Sequence, residues 1–251
     1  MKVCSYCENN APLTREHIWP DCLIKKYESL LTYSKREHKF YKGDPTIKDV
    51  CGHCNNVVLS KLDAYLSSLY DKHFEKILLP GEPARLSYDY ELLLRALLKI
   101  SYNSARANAD GKVIKAHKGF VKFMLNGGYC PPVHLRLQIV TASRALNLDA
   151  GTENMFEPKH LRCAEIPYDG PLSHRFVVRM VAINCFWFFL IFSYKVEPPH
   201  KCYEFIEGLT KWRMHMGSKL LPTSAEVDIP VNQTTFLTPE LLGNLAHATQ
   251  V

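Results

Sequence analysis

Two pairs of cysteines lie within the first 54 residues, Cys4 with Cys7 and Cys51 with Cys54. A two-residue spacer lets both sulfur atoms of a pair bind one ion, and four thiolates complete a tetrahedral zinc site. The 43 residues between the pairs form a longer insertion than the loop of a simple zinc finger. The pattern predicts a structural zinc ion. The alternative is that these are buried free thiols, since free cysteine is commonly buried.

Residues that could act on a phosphodiester stand beside these pairs, in the run Arg15-Glu16-His17 and at Asn55. The carboxylate of Glu16 and the side-chain carbonyl of Asn55 are oxygen ligands suited to a hard cation such as Mg²⁺ or Mn²⁺. Histidine has an unperturbed pKa near 6.5 and accepts a proton at neutral pH, so His17 could serve as a general base. Taken alone, a histidine next to Trp19 is more often a buried core residue than a catalytic one, and it is the position of His17 between the cysteine pairs that favours catalysis.

In their order along the chain, these residues resemble the HNH nucleases of the ββα-metal fold. The closest resemblance is to the treble-clef branch typified by phage recombination endonuclease VII, and it covers residues 1–75. The shared pattern is Cys-x-x-Cys, an acidic residue followed by His and an apolar-x-Pro, and finally Cys-x-x-Cys-Asn. It is filled here by Cys4, Cys7, Glu16, His17, Pro20, Cys51, Cys54 and Asn55. Many members carry a further Asn before the second pair, where this chain offers only Asp49 as a weak substitute.

The resemblance implies an HNH nuclease domain over residues 1–79, a metal-dependent endonuclease acting on nucleic acid and in particular on double-stranded DNA. It implies that Glu16 and Asn55 hold a catalytic Mg²⁺ or Mn²⁺ while His17 deprotonates the attacking water. The zinc would be structural and would hold the helix that begins near Cys54 against the hairpin that carries Glu16 and His17. A role in antiviral host defence fits the contexts in which the family occurs. The alternative is a zinc-stapled module that binds nucleic acid without cutting it.

Backbone geometry sets two conditions on this site. Adjacent residues of a strand point to opposite faces, so Glu16 and His17 can serve one site only if the strand is bent there. Asp63 lies two helical turns beyond Asn55, about 12 Å along the axis, which is too far to share one ion. We therefore expect Asp63 to be a structural contact of the helix face.

Basic residues are concentrated between positions 25 and 42. This segment contains six Lys or Arg residues and two Glu residues, which gives a local charge of +4. Such a segment could follow a phosphate backbone, and Arg15 could do the same beside the site. A solvated charged loop explains the segment equally well. The residues assigned to nucleic-acid binding are Arg15, Lys25, Lys26, Lys35, Arg36 and Lys39.

The periodicity of apolar residues predicts an α+β fold in two parts, the unit at 1–79 and a larger α+β domain of unknown role at 84–251, with a linker between them. In the first part it predicts helices at 20–31 and 55–78 and a charged loop at 35–44. In the second it predicts helices at 90–107 and 117–125, followed by antiparallel strands at 135–141 and within 176–192. The tail offers a weak helix signal at 240–248.

The composition of the chain excludes several classes of protein. The chain has 251 residues, 47% of them hydrophobic, and a net charge of +6, which excludes disordered and collagen-like chains. The nine cysteines are an odd number and no leading segment reads as a secretion signal, so we expect a reducing cytoplasmic location. The apolar run 176–192 contains Arg179 and Asn184 and is too short for a membrane span. Partners other than nucleic acid would be a second copy, needed for double-strand cleavage in one encounter, or a protein bound by the C-terminal region. In the latter case the chain would be an interaction effector.

Overall fold

The computed structural model describes residues 2–28, 31–34, 39–43, 46–147, 151–213 and 216–232. Within these residues the chain forms six α-helices and a set of antiparallel sheets, so the predicted α+β class is confirmed. The helix predicted at 240–248 lies outside the described residues. No α-helix in the described ranges has the length and hydropathy that a bilayer crossing requires.

Before its long helix, the first part of the chain consists of three short antiparallel strand pairs and one helical turn. Strand β3 precedes β6 and pairs with it, and a long helix follows β6 directly, so this part has a strand-strand-helix order. The elements are β1 (Lys2–Val3) with β2 (Asn10–Ala11), β3 (Leu13–His17) with β6 (Thr46–Cys51), β4 (Leu31–Ser34) with β5 (Lys39–Lys42), and α1 (Asp21–Ile24).

The long helix begins at the second cysteine pair and runs without interruption to Phe74. It consists of a π-helical turn (Cys54–Leu59), α2 (Ser60–Leu69) and a second π-helical turn (Tyr70–Phe74). Leucines at helical spacing form its buried face, namely Leu59, Leu62, Leu66 and Leu69. The helix predicted at 55–78 is therefore present, although it ends four residues earlier.

Three consecutive helices lie near the start of the second part of the chain. Helix α3 (Tyr90–Ala107) has the predicted bounds, and the carboxylate of Asp89 caps its first turn by accepting a hydrogen bond of 2.9 Å from the Leu92 N–H. Asp110 caps the next helix in the same way. That helix and its successor are α4 (Gly111–Lys118) and α5 (Val121–Asn126), so the single helix predicted at 117–125 is wrong in its bounds.

A five-stranded antiparallel sheet forms the centre of the second part, with strand order β11-β12-β13-β8-β14. Along β13, Phe186, Phe188, Leu190 and Phe192 belong to the core that contains α3. The residues between them, Trp187, Phe189 and Ile191, belong to a second core beneath α6. A strand that is buried on both faces needs apolar residues at nearly every position, which explains the continuous apolar run. The elements are β8 (Val133–Ile139), β11 (Leu161–Glu165), β12 (Phe176–Ile183), β13 (Phe186–Ser193), β14 (Ser218–Lys219) and α6 (Pro199–Arg213).

Two small ladders and one 3₁₀ turn complete the described residues. Strand β7 (Ala84–Ser87) pairs with β15 (Glu226–Ile229), and β9 (Ser143–Asn147) pairs with β10 (Thr152–Phe156). The 3₁₀ turn is Ser173–Arg175. The predicted linker at 79–83 is a turn, but residues before and after it belong to one continuous apolar core.

Two predictions in the first part are wrong. The helix predicted at 20–31 is only the single turn of α1, and the loop predicted at 35–44 contains strand β5. Both stretches are short, so apolar periodicity has few residues to act on, and pairing between β4 and β5 decides the local structure. Helix α6, which covers one face of the sheet, was not predicted.

Candidate metal centre and the adjacent strand end

The four cysteines converge. The sulfur atoms of Cys4, Cys7, Cys51 and Cys54 all lie within 4.8 Å of one another, and the Sγ atoms of Cys7 and Cys51 are 3.8 Å apart. Zinc–sulfur bonds of about 2.3 Å in a tetrahedron place the sulfur atoms about 3.8 Å from one another. The cluster therefore has the composition and the dimensions of a zinc site. Among the described residues, this is the only group of three or more potential ligand residues close enough together to hold a metal ion.

The cluster is formed where two turns meet. Cys4 and Cys7 lie in the turn between β1 and β2, while Cys51 ends β6 and Cys54 begins the long helix. Backbone N–H groups point at the sulfur atoms: Cys51 N lies 3.3 Å from the Sγ of Cys4. With three cysteines buried and the fourth partly so, the site is closed to a substrate. Closed four-cysteine sites are structural rather than catalytic.

The surroundings of Cys4 lower the pKa of its thiol. Burial alone would raise its pKa, but hydrogen bonds from backbone N–H groups, that of Cys51 first, outweigh burial and lower the pKa to about 7. Burial raises the pKa of Cys54 and of Cys7. A zinc ion would lower all of them, because a coordinating thiol is deprotonated.

The pairing of β3 with β6 shifts its register just before Glu16. Thr14 pairs with Val50 and Glu16 pairs with Ile47, so two residues advance on β3 while three advance on β6. The extra residue on β6 is a bulge, a feature that bends a strand and redirects its side chains. This irregularity lies before Glu16, whereas Glu16 and His17 themselves pair in regular register with Ile47 and Thr46, so whether both serve one site stays a prediction.

Glu16 is directed inwards. Its side chain is 4% exposed, and its Oε1 atom lies 2.8 Å from the Nζ of Lys99 and 3.1 Å from the Nδ2 of Asn103, both on α3. The same Lys99 ammonium lies 2.6 and 2.7 Å from the two carboxylate oxygens of Asp63. Burial alone would lower the pKa of Lys99, but Asp63 and Glu16 outweigh burial and raise it. Lys99 therefore remains charged, and Asp63 is a contact of the helix face, as expected.

Hydrogen bonds connect both His17 and Asn55 to the surroundings of Glu16. The carbonyl oxygen of His17 accepts a hydrogen bond of 3.0 Å from Asn103, and its side chain is half-buried. Asn55, at the start of the long helix, donates to the Thr14 hydroxyl at 3.0 Å and to the Arg15 carbonyl at 2.9 Å. The helix start is thereby joined to the residue that directly precedes Glu16.

The residues present fit one of the two implied metals and not the other. The cysteine cluster fits zinc. Glu16 does not fit a readily exchanging Mg²⁺ or Mn²⁺, because such an ion would have to displace a buried ammonium group and an amide from the carboxylate. Lys99 and Asn103 were not predicted from the sequence. The available signal was that these two polar residues lie four positions apart, and so on one face, within the largely apolar helix 90–107.

The residues assigned to nucleic-acid binding are dispersed. Arg15 is exposed on β3. Lys25 pairs with Asp21 and Lys26 with Asp71, each at 2.5 Å. Lys35 and Arg36 lie outside the described residues, as does the side chain of Lys39. Asp49, the weak substitute for a further Asn, accepts a hydrogen bond of 2.7 Å from Ser5 beside the cysteine cluster.

Comparison with known proteins adds no relative: no protein-family model, no curated protein and no solved structure matches this chain.

Proposed function

We propose that this protein is an HNH-type endonuclease that hydrolyses phosphodiester bonds of nucleic acid, DNA in the first instance, at the strand end that carries Glu16 and His17. The observation that supports it is the hydrogen bond from Asn55 to the Arg15 carbonyl. Through this contact and the cysteine cluster, the start of the helix is held against the strand directly before the candidate base. The order of strand, strand and helix agrees with the ββα arrangement that the resemblance implies.

In this proposal His17 takes a proton from the attacking water, and the exposed guanidinium of Arg15 binds the phosphate. Zinc holds the strand and the helix together and touches no substrate. Dependence on Mg²⁺ or Mn²⁺ is an expectation of the resemblance. The proposal assigns no step to such an ion at Glu16, which is already bound by Lys99.

A second candidate function is a zinc-stapled module that binds nucleic acid without cutting it. The specific observation in its favour is the burial of Glu16 against Lys99 and Asn103, which gives this carboxylate a structural role. The positive net charge of +6 serves either function, because both require attraction to a polyanion.

Cleavage of supercoiled plasmid separates the two. Wild type, His17→Ala and the control His174→Ala, which changes an exposed histidine of the second part, are incubated with Mg²⁺, with Mn²⁺ or with EDTA. Zinc content is measured on the same samples. The nuclease proposal expects nicking or linearisation by wild type and by the control, and a loss of at least 100-fold in His17→Ala with zinc unchanged. If wild type binds DNA or RNA but cleaves neither in any of these conditions, the result would instead support the binding module.

A further inference from the structure

We infer that Lys99 and Asn103 of helix α3 are positioning residues that hold the strand end carrying Glu16 and His17. The catalytic meaning of this inference rests on the proposed function, but the geometry can be tested without any activity. It assigns a task to the second part of the chain, which would complete the site rather than act as a separate module.

Asn103 connects three parts of the molecule. It is fully buried, and its amide nitrogen donates both to the Glu16 carboxylate at 3.1 Å and to the His17 carbonyl at 3.0 Å. Its carbonyl oxygen accepts from the Tyr6 hydroxyl at 2.7 Å and from Arg106. An asparagine with two donors and an acceptor all engaged has one orientation, so it fixes the groups that it contacts.

Tyr6 makes this contact relevant to the metal centre. It lies between Cys4 and Cys7, so its hydroxyl extends from the zinc turn to Asn103. Its ring packs edge-on against Tyr102 at 5.4 Å, and the guanidinium of Arg106 lies over both rings. The cysteine cluster and the strand end are therefore held against the same turn of α3. Zinc can influence the position of His17 through Tyr6 and Asn103 as well as through β6.

Lys99 provides the charge that Glu16 needs in order to be buried. Its side chain is 2% exposed and its ammonium bridges Glu16 on β3 to Asp63 on α2. A buried carboxylate without a cation is costly, so a strand end that carries Glu16 is stable only where Lys99 meets it. Glu16 accordingly acts as an anchor for its own strand. This role differs from the metal ligand that the resemblance implies.

Asn103→Leu tests the inference, with Ser104→Ala as the matched control. Leucine has nearly the same size and removes every hydrogen bond to the strand. Ser104 is a buried neighbour on the same helix whose hydroxyl accepts a hydrogen bond from Arg179 in the sheet instead. For Asn103→Leu we expect kcat for plasmid nicking to fall by 10- to 100-fold with KM changed less than about twofold. We expect the ring resonance of His17 in NMR spectra to move while zinc content stays at one per chain. Ser104→Ala should change none of these.

Three further variants keep the test decisive if Asn103→Leu does not fold. Tyr6→Phe removes one hydrogen bond from Asn103 and should reduce kcat about threefold and shift the His17 resonance by a smaller amount. Lys99→Met should lower kcat at least tenfold, and Lys99→Arg, which keeps the charge, should restore part of it.

The inference is overturned if the variants that fold and retain zinc leave both kcat and the His17 resonance as in wild type. If wild type cleaves nothing, the proposed nuclease function fails, but the resonance of His17 still decides whether Lys99 and Asn103 position it.

Discussion

The cysteine unit at the start of the chain and the five-stranded sheet near its end fix their geometry by different means. Strands β1, β2, β3 and β6 are two to six residues long and carry few buried apolar residues, and four cysteines that could hold a metal ion converge beside them. Strands β12 and β13 are eight residues long, and every residue but the last of β13 is buried. A small unit buries little apolar surface of its own, so a metal ion held by the cysteine cluster would fix strand ends that few apolar contacts hold.

The contact between these regions is both apolar and polar. Phe74, at the end of the long helix, packs on Phe186 and Phe188 of the sheet at 4.8 and 5.7 Å. Asn184, in the turn between β12 and β13, donates to the Phe74 carbonyl at 2.8 Å and accepts from Tyr27 at 2.8 Å. The comparison therefore predicts that the regions respond differently to loss of metal but unfold together when their common core is damaged.

Removal of one zinc ligand should have the largest effect. Cys51→Ser should abolish stable zinc binding and unfold the cysteine unit first, because structural zinc contributes on the order of 10 kcal/mol in zinc-finger peptides. Zinc analysis after dialysis, together with hydrogen exchange, measures both effects. Cys130→Ser, which changes a cysteine outside the cluster, is the control and should keep one zinc per chain. Retention of zinc by Cys51→Ser would refute the assignment of the cluster.

Damage to the shared core comes next. Phe74→Ala should lower the free energy of unfolding by about 3–5 kcal/mol, the usual cost of deleting a buried aromatic ring. Urea unfolding followed both by tryptophan fluorescence and by zinc release should then show one transition shifted as a whole. Tyr129→Ala, at an 84% exposed position, should change the stability by less than about 0.5 kcal/mol. Two separate transitions in wild type would show instead that the regions unfold independently.

Acid should destabilise the second part of the chain gradually as the pH falls. Burial lowers the pKa of His117 to about 3 and that of His160 to about 4, below the value near 6.5 expected in the unfolded chain. Below pH 6.5 the unfolded state therefore binds more protons, and stability falls as the pH falls towards 4. Each histidine should remove about 2 kcal/mol between pH 6.5 and pH 5.

Loss of zinc in acid would add to this effect, so the measurement compares wild type with His117→Gln. Urea midpoints at pH 7.5, 6 and 5 should decline less steeply in the variant. Parallel slopes would contradict the assignment of the effect to His117.

The turn between β12 and β13, which contacts the first part of the chain through Asn184, offers the test with the smallest readout. Asn184 has a positive φ of 51° and makes the side-chain contacts described above. Asn184→Ala should cost about 2–3 kcal/mol, because it loses these hydrogen bonds and places an alanine in the left-handed region. Asn184→Gly loses the same bonds without the backbone penalty, so it should be about 1 kcal/mol more stable than Asn184→Ala. Equal stabilities of the two variants would show that the turn is not strained.

The elements with a long or repeated signal could be predicted from the sequence. Helix α3 spans 18 residues with a regular apolar face, and its bounds were predicted correctly. The hairpin of β12 and β13 follows from an apolar run broken at Asn184 and Cys185. Short elements such as α1 and β5 could not be predicted in the same way, because pairing partners rather than periodicity decide them.

The sequence by itself determined the four candidate metal ligands, since the two-residue spacer of each Cys-x-x-Cys pair lets both sulfur atoms reach one ion through local geometry alone. It also determined that Glu16, His17 and Asn55 stand beside those ligands in the chain. Only the tertiary structure decided what Glu16 does, because its partners Lys99 and Asn103 come from a helix more than 80 residues further along. Charge pairing inside a core depends on which elements pack together, and spacing along a chain carries no record of that.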